Sequence, residues 1–226
     1  MKKSILTLFV MAFAIVSFAQ KPQEGSLLTE ARFNLASGIQ NFEAPGLRFR
    51  YFIADDMAVR LDLGVNGSKS TDQAVDLLDD ANVGENVMKT SGFSVGAGVE
   101  KHFGGNDRFS PYALFGLNYS TESETETWTD YNGGAYTKDY TADVIRMKEN
   151  NLGVNVGLGG DYWIGKSFYL GAEFGFGFSS TTNPEFTSTY DDGTTSMDVT
   201  SQESKSSGFG IGSMTGGSFR IGFAIK

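Results

Sequence analysis

Apolar and polar side chains alternate at every second position along several stretches of this chain. In the segment 167–178, one parity is apolar, with residues Phe168, Leu170, Ala172, Phe174, Phe176 and Phe178. The other parity holds Tyr169, Gly171, Glu173, Gly175 and Gly177. Because side chains alternate faces along a strand, the segment has one apolar and one polar face. The pattern recurs up to the last residues, and no stretch shows a persistent helical period, so the sequence predicts an all-β fold.

The alternating stretches predict eight strands, at 27–36, 46–53, 57–66, 91–103, 110–121, 149–164, 167–179 and 208–225. Short turns at 54–56, 104–108 and 165–166 alternate with longer connections at 37–45, 67–90, 122–148 and 180–207. Short turns at one end and long loops at the other are typical of transmembrane barrels, which have periplasmic turns and extracellular loops. The prediction is an eight-stranded antiparallel up-and-down transmembrane β-barrel.

A soluble eight-stranded barrel, such as a lipocalin, alternates in the same way but turns its apolar face inward. The apolar face here carries too much side-chain volume for so small an interior, and its polar face has few lysines. Aromatic residues also gather near the predicted strand ends, where interfacial girdles lie in membrane barrels. The expected girdle residues are Phe103, Tyr112, Tyr162, Trp163, Phe168 and Tyr169 near the turns, and Tyr119 and Phe178 near the loops.

The first residues predict export from the cytoplasm. Lys2 and Lys3 precede an apolar run, and small residues surround Ala19, so residues 1–19 fit a secretory signal peptide and residues 20–226 form one barrel domain. The chain has no cysteine, which excludes disulfides, and its formal net charge is −9. An acidic chain is a poor nucleic-acid binder because phosphate recognition needs a basic surface.

With this pattern, the chain resembles the small outer-membrane β-barrels of the OmpA/OmpX type. The segment 219–226 is similar to the carboxy-terminal signal read by the outer-membrane assembly machinery, except that it ends in Lys226 instead of an aromatic residue. The resemblance implies an integral outer-membrane protein in contact with lipid and lipopolysaccharide. It also implies adhesion or another contact at the cell surface.

The polar parity carries a balanced set of charges at one depth near the short turns. The predicted belt comprises Glu30, Arg32, Arg48, Arg50, Arg60, Asp62, Glu100, Asp161, Glu173 and Arg220. Buried ions are costly unless paired, and arginine can clasp a carboxylate with two hydrogen bonds. These residues are therefore expected to pair with one another and to close the lumen.

Beyond the belt the same parity becomes small and uncharged. The hypothesis is a wet vestibule lined by Asn34, Asn66, Gly96, Gly98, Asn118, Asn155, Gly157 and Gly175. The alternative is that the glycines only permit the curvature and twist of a narrow barrel. A porin-like channel for small solutes, or a vessel for a ligand, is the corresponding alternative function.

The long connections are acidic and contain two hairpin signals, at 132–134 and 191–193. They predict hairpins that rise beyond the membrane and present sheet edges to an extracellular partner. The other interpretation is a solvated acidic surface without a partner.

No catalytic, metal or cofactor site is predicted. His102, the single histidine, lies beside a short turn and is interpreted as a solvated rim residue, with no serine evident at its depth. One histidine and no cysteine disfavour zinc, and the glycines of segment 153–160 lie in a strand pattern, which disfavours a phosphate-binding loop.

Overall fold

The computed structural model describes residues 21–34, 46–78, 82–144, 148–212 and 218–225. The predicted signal peptide and the connection 37–45 lie outside these residues. In the described ranges, no helix has the length and apolarity needed to cross a membrane.

The described residues form twelve β-strands that pair in one antiparallel sheet. The strands are β1 (Leu27–Asn34), β2 (Gly46–Ala54), β3 (Met57–Val75), β4 (Val83–His102), β5 (Phe109–Asn132), β6 (Ala135–Val144), β7 (Lys148–Trp163), β8 (Phe168–Asn183), β9 (Phe186–Asp191), β10 (Ser196–Ser201), β11 (Ser204–Gly212) and β12 (Ser218–Ile225). The all-β prediction is confirmed.

Eight of these strands close into a ring. Each strand pairs with the next in the order β1, β2, β3, β4, β5, β7, β8 and β12, and β12 pairs again with β1. The closing pair is antiparallel over the whole of β1, from Leu27 opposite Ile225 to Asn34 opposite Ser218. A closed ring leaves no free strand edge along its wall.

The predicted eighth strand, 208–225, is wrong as a single element. It consists of β11 and β12, which both pair with β8 at different heights. Gly212 at the end of β11 pairs with Gly175 of β8, and Ser218 at the start of β12 pairs with Glu173 of β8. The chain between Gly212 and Ser218 is therefore longer than the chain between their two partners. The apolar residues have the same parity on both sides of the interruption, with Ile211 before it and Phe219 after it, which explains why the sequence did not reveal it.

The connections predicted as long loops are largely strands. β3, β4 and β5 have 19, 20 and 24 residues, well beyond the 9–11 that a membrane crossing needs. The predicted turn at Gly133 and Gly134 joins β5 to β6, and the turn at Gly193 joins β9 to β10. Both hairpins are therefore present, and β6, β9 and β10 extend the sheet beyond the ring.

The apolar face of the ring points outward. Phe174, Phe178 and Val156 are 60%, 51% and 47% exposed, whereas Arg50 and Glu100 are fully buried. Along β8 from Phe168 to Phe178 the burial alternates residue by residue, with the apolar parity outside. The fold thus inverts the usual arrangement of soluble proteins, in which charges are almost never fully buried unless paired.

Three of the expected girdle residues do not belong on that outer face. Tyr112 and Tyr169 are fully buried and Trp163 is 1% exposed, all inside the ring, whereas Phe103, Tyr162, Phe168, Tyr119 and Phe178 are on the outside. All three inward residues share the parity of the charged residues on their own strands, and Trp163 and Tyr169 are directly next to the outward residues Tyr162 and Phe168. Parity was thus a better guide to the exposure of a side chain than its position along the strand.

Candidate functional site

A network of ion pairs fills the interior of the ring on the side of the short turns. It contains nine of the ten residues of the predicted belt, namely Glu30, Arg48, Arg50, Arg60, Asp62, Glu100, Asp161, Glu173 and Arg220. We call this set the charge network. Arg32 lies on β1 opposite Arg220, and its side chain is outside the described part of the structure.

Arg50 is at the centre of the charge network. Its guanidinium donates to Glu30 at 2.9 Å and to Asp161 at 2.7 Å, and its Nε donates to Glu100 at 2.8 Å. β2, which carries Arg50, and β7, which carries Asp161, lie four positions apart in the eight-strand ring. One side chain therefore bridges the interior from wall to opposite wall.

Arg48 and Arg60 close the next level of the interior. Arg48 donates to Asp62 at 2.6 Å and to Glu173 at 3.0 Å, and Arg60 donates to the same Glu173 at 3.1 Å. β3 and β8, which carry Arg60 and Glu173, are again opposite walls. Arg220 completes the network through Asp161 at 2.8 Å and Glu30 at 3.2 Å.

Two tyrosines that the sequence interpretation assigned to the surface are part of this network. The Tyr169 hydroxyl donates to Glu30 at 2.6 Å, and the Tyr112 hydroxyl donates to Glu173 at 2.9 Å. Their rings occupy space left by glycines, because a Cβ at Gly159 or Gly222 would overlap them. Both tyrosines share the parity of the charged residues on their own strands, which is the signal that identifies them.

Below the charge network, toward the short turns, lies an apolar layer that the sequence analysis missed. It is formed by Leu28, Phe52, Ala58, Trp163, Tyr169 and Ala224, all buried. We call it the turn-side layer. Together with the charge network it fills the interior at this end of the ring.

His102 lies against the turn-side layer, and its interpretation as a solvated rim residue is wrong. The side chain is 6% exposed, and its ring is packed between Phe52 and Tyr112 at centroid distances of 5.1 and 5.0 Å. Its Nδ1 is 2.8 Å from the Ser110 hydroxyl and its Nε2 is 3.4 Å from Glu100. A serine therefore does lie at its depth, contrary to expectation. Ser110 is itself only 4% exposed, so we interpret the contact as a buried structural hydrogen bond.

Replacing His102 by Leu is expected to lower the free energy of unfolding by about 1–3 kcal/mol, because a buried hydrogen-bonded group is lost and its partners stay buried. Urea titration of the folded protein measures this. Lys101→Gln, at the adjacent exposed position, is the matched control and is expected to change little. Equal stability of the His102 variant and the control would contradict the buried role.

The predicted vestibule residues are only partly brought together. Asn155 donates to Asn118 at 3.3 Å, Asn66 donates to Glu122 at 3.0 Å farther out, and the side chain of Asn34 is not described. Among the glycines, Gly157 and Gly175 are directly opposite one another. A Cβ at Gly157 would be 2.6 Å from the carbonyl oxygen of Phe174, so this pair is required by close strand approach.

The remaining glycines of that set face the charge network. A Cβ at Gly98 would be 3.1 Å from Arg60 Nε, and a Cβ at Gly96 would be 3.2 Å from Asp62 Cβ. The space left by these glycines is therefore adjacent to the ion pairs, which favours the curvature and packing interpretation at this level.

No family model matches this chain, and no curated protein sequence matches it. Among solved structures, the chain is similar to the N-terminal beta-barrel domain of Pseudomonas aeruginosa OprF, with a TM-score of 0.36 and 14% sequence identity. That similarity covers 90% of this chain and 100% of the other.

Proposed function

We propose that the protein is an integral β-barrel of a bacterial outer membrane, with a closed interior and with extracellular hairpins that contact other molecules at the cell surface. The observation that carries this proposal is the inverted distribution of side chains. The outer face of the ring is apolar and exposed, while arginines and carboxylates are buried within it. Such a surface is stable in contact with lipid tails.

The height of the apolar face supports a membrane crossing. From Phe168 to Phe178 the outward positions of β8 are all apolar. At roughly 3.3 Å per residue and a strand tilt of about 40°, this run spans about 25 Å, the height of the apolar band of membrane barrels. The closed ring also satisfies the backbone hydrogen bonds that lipid cannot satisfy.

The strands outside the ring support a surface role. The connections 67–90, 122–148 and 180–207 carry sixteen acidic and six basic residues, and they contain β6, β9 and β10. In the proposed orientation these strands project outward and offer the free edge of β10 to a partner, with the short turns in the periplasm. β12, which closes the ring, would be the strand that the outer-membrane assembly machinery reads.

The test begins with localisation and folding. The protein is expected to separate with the outer membrane, to require detergent for solubility, and to change its electrophoretic mobility on boiling, as closed barrels do. Deleting the β9–β10 hairpin, 186–201, is expected to abolish binding to host or environmental surfaces and to leave the mobility shift intact. A protein that is freely soluble in water, with no mobility shift, would refute the barrel.

A small-solute channel is the competing function, and bilayer conductance distinguishes the two. The charge network and the turn-side layer both fill the interior, so the wild-type protein is expected to give no steady current. Because two layers are involved, Arg48→Ala alone is expected to stay closed, while Arg48→Ala combined with Trp163→Ala is expected to conduct. Steady wild-type current would favour the channel.

A further inference from the structure

Three lysines on the loop side of the apolar face are arranged by side as well as by height. Lys69 on β3, Lys89 on β4 and Lys148 on β7 share the outward parity of Val65, Phe93 and Leu152 on the same strands. All three lysines are exposed. We call them the lysine patch. Five carboxylates along the same stretch share the opposite, inward parity, namely Asp72, Glu122, Glu124, Glu126 and Glu149.

The three lysines also have one height. Each lies four residues beyond the end of the uninterrupted apolar outward run of its strand, which is Val65 for Lys69, Phe93 for Lys89 and Leu152 for Lys148. Four residues correspond to about 13 Å along a strand, or about 10 Å along the axis of a tilted strand. Lysine side chains can reach back toward a membrane surface, so this height suits contact with lipid headgroups.

Register brings the lysines close to one another. Lys69 is directly opposite Lys89 in the β3–β4 pair, and Lys148 is opposite Ser123, which is in turn opposite Ser91. Like charges directly opposite in a sheet destabilise it. An anion between them would remove that repulsion.

Two other exposed lysines, Lys101 and Lys205, pair with carboxylates, whereas within the part of the chain that the structure describes the lysines of the patch do not. Lys101, on the outer face at the turn end, donates to Asp56 and holds the pKa of that carboxyl below its usual value, and Lys205 pairs with Glu203 at 3.0 Å. Among the described side chains, Lys69, Lys89 and Lys148 have no such partner. The outward carboxylate of Glu85 lies four residues beyond Lys89 and accepts a hydrogen bond from Gln73.

We infer that the lysine patch binds the phosphate groups of anionic lipids in the outer leaflet. This inference rests on the proposed membrane orientation and names the lipid chemistry that the outer rim of the wall recognises. The patch is positive on a part of the protein that is otherwise acidic, so it provides a local site where an anionic headgroup can approach the wall. The neighbouring positions Gly67 and Ser91 are small, which leaves room for a headgroup.

The experiment uses the full protein in vesicles that contain phosphatidylcholine and a diphosphorylated glycolipid. After extraction in mild neutral detergent, retained glycolipid is counted by native mass spectrometry. The variant Lys69→Gln/Lys89→Gln/Lys148→Gln is expected to retain at least about tenfold less glycolipid than wild type, because each lysine near an anionic surface contributes about fivefold. Lys69→Arg/Lys89→Arg is expected to retain it.

The control is Lys138→Gln/Lys205→Gln, which removes two lysines that lie outside the patch and is expected to behave as wild type. Equal retention by the triple variant and the wild type would overturn the inference. So would release of bound glycolipid by inorganic phosphate at equal concentration, which would identify a site for free phosphate. The mobility shift on boiling is measured on every sample, so failure of the barrel proposal is seen separately from failure of the lipid site.

Discussion

Replacing Arg50 by Met is expected to lower the free energy of unfolding by about 3–5 kcal/mol, the cost typical of breaking a buried ion pair by removing one partner. The methionine keeps much of the side-chain volume but leaves Glu30, Glu100 and Asp161 facing one another without the guanidinium that joins them. Urea titration in vesicles, followed by the mobility shift on boiling, measures the loss.

The matched control for Arg50→Met is Lys138→Met, which removes one positive charge from the exposed end of β6 and is expected to change stability by less than about 0.5 kcal/mol. A second variant isolates the charge from the packing. In Arg50→Met/Glu100→Gln the carboxylate whose remaining arginine, Arg60, is 3.4 Å away becomes neutral, so part of the lost stability is expected to return. If Arg50→Met were as stable as the control, the charge network would not hold the ring together.

Replacing Val156 by Arg is expected to destabilise the protein by about 2–4 kcal/mol in vesicles, because the side chain would lie near the middle of the bilayer. Val156 is 47% exposed and is surrounded by Phe115 and Phe176 on neighbouring strands. In a water-soluble protein the same substitution at so exposed a position would be nearly neutral or would improve solubility. The sign of the effect therefore tests the orientation of the wall.

Val199→Arg is the control for Val156→Arg, because Val199 is equally exposed, at 45%, but lies on β10 outside the ring. It is expected to change stability by less than about 0.5 kcal/mol. Equal and small effects at both positions would mean that the ring is not in contact with lipid tails.

The sequence predicted the parts of this fold that depend on alternation. The two faces, seven strands of the ring and the residues that form the ion pairs all follow from parity, because every strand must turn alternate side chains to opposite sides. The same rule places Tyr112 and Tyr169 inside. Their prediction as girdle residues was wrong because nearness to a turn was given more weight than parity. Nearness to a turn indicates where a strand ends, whereas parity indicates whether a side chain points into the ring or away from it.

The break between β11 and β12 and the contact between His102 and Ser110 depend on register, which alternation alone does not specify. Two strands whose pattern is known can still pair at several offsets that preserve the faces. Ser110 reaches His102 because β4 and β5 pair with His102 opposite Tyr112, and nothing local to either residue signals this. The sequence therefore predicts which residues share the interior better than which of them touch.

The wall-to-wall reach of Arg50 has a consequence for assembly. The carboxylates it joins come from the first, fourth and sixth strands of the ring, and Arg220 on the last strand pairs with Glu30 on the first. An incomplete ring would hold several uncompensated charges in a narrow space that excludes water, which is strongly unfavourable. Intermediates with a missing strand are thus disfavoured, and closure of the first strand onto the last becomes cooperative with completion of the whole wall.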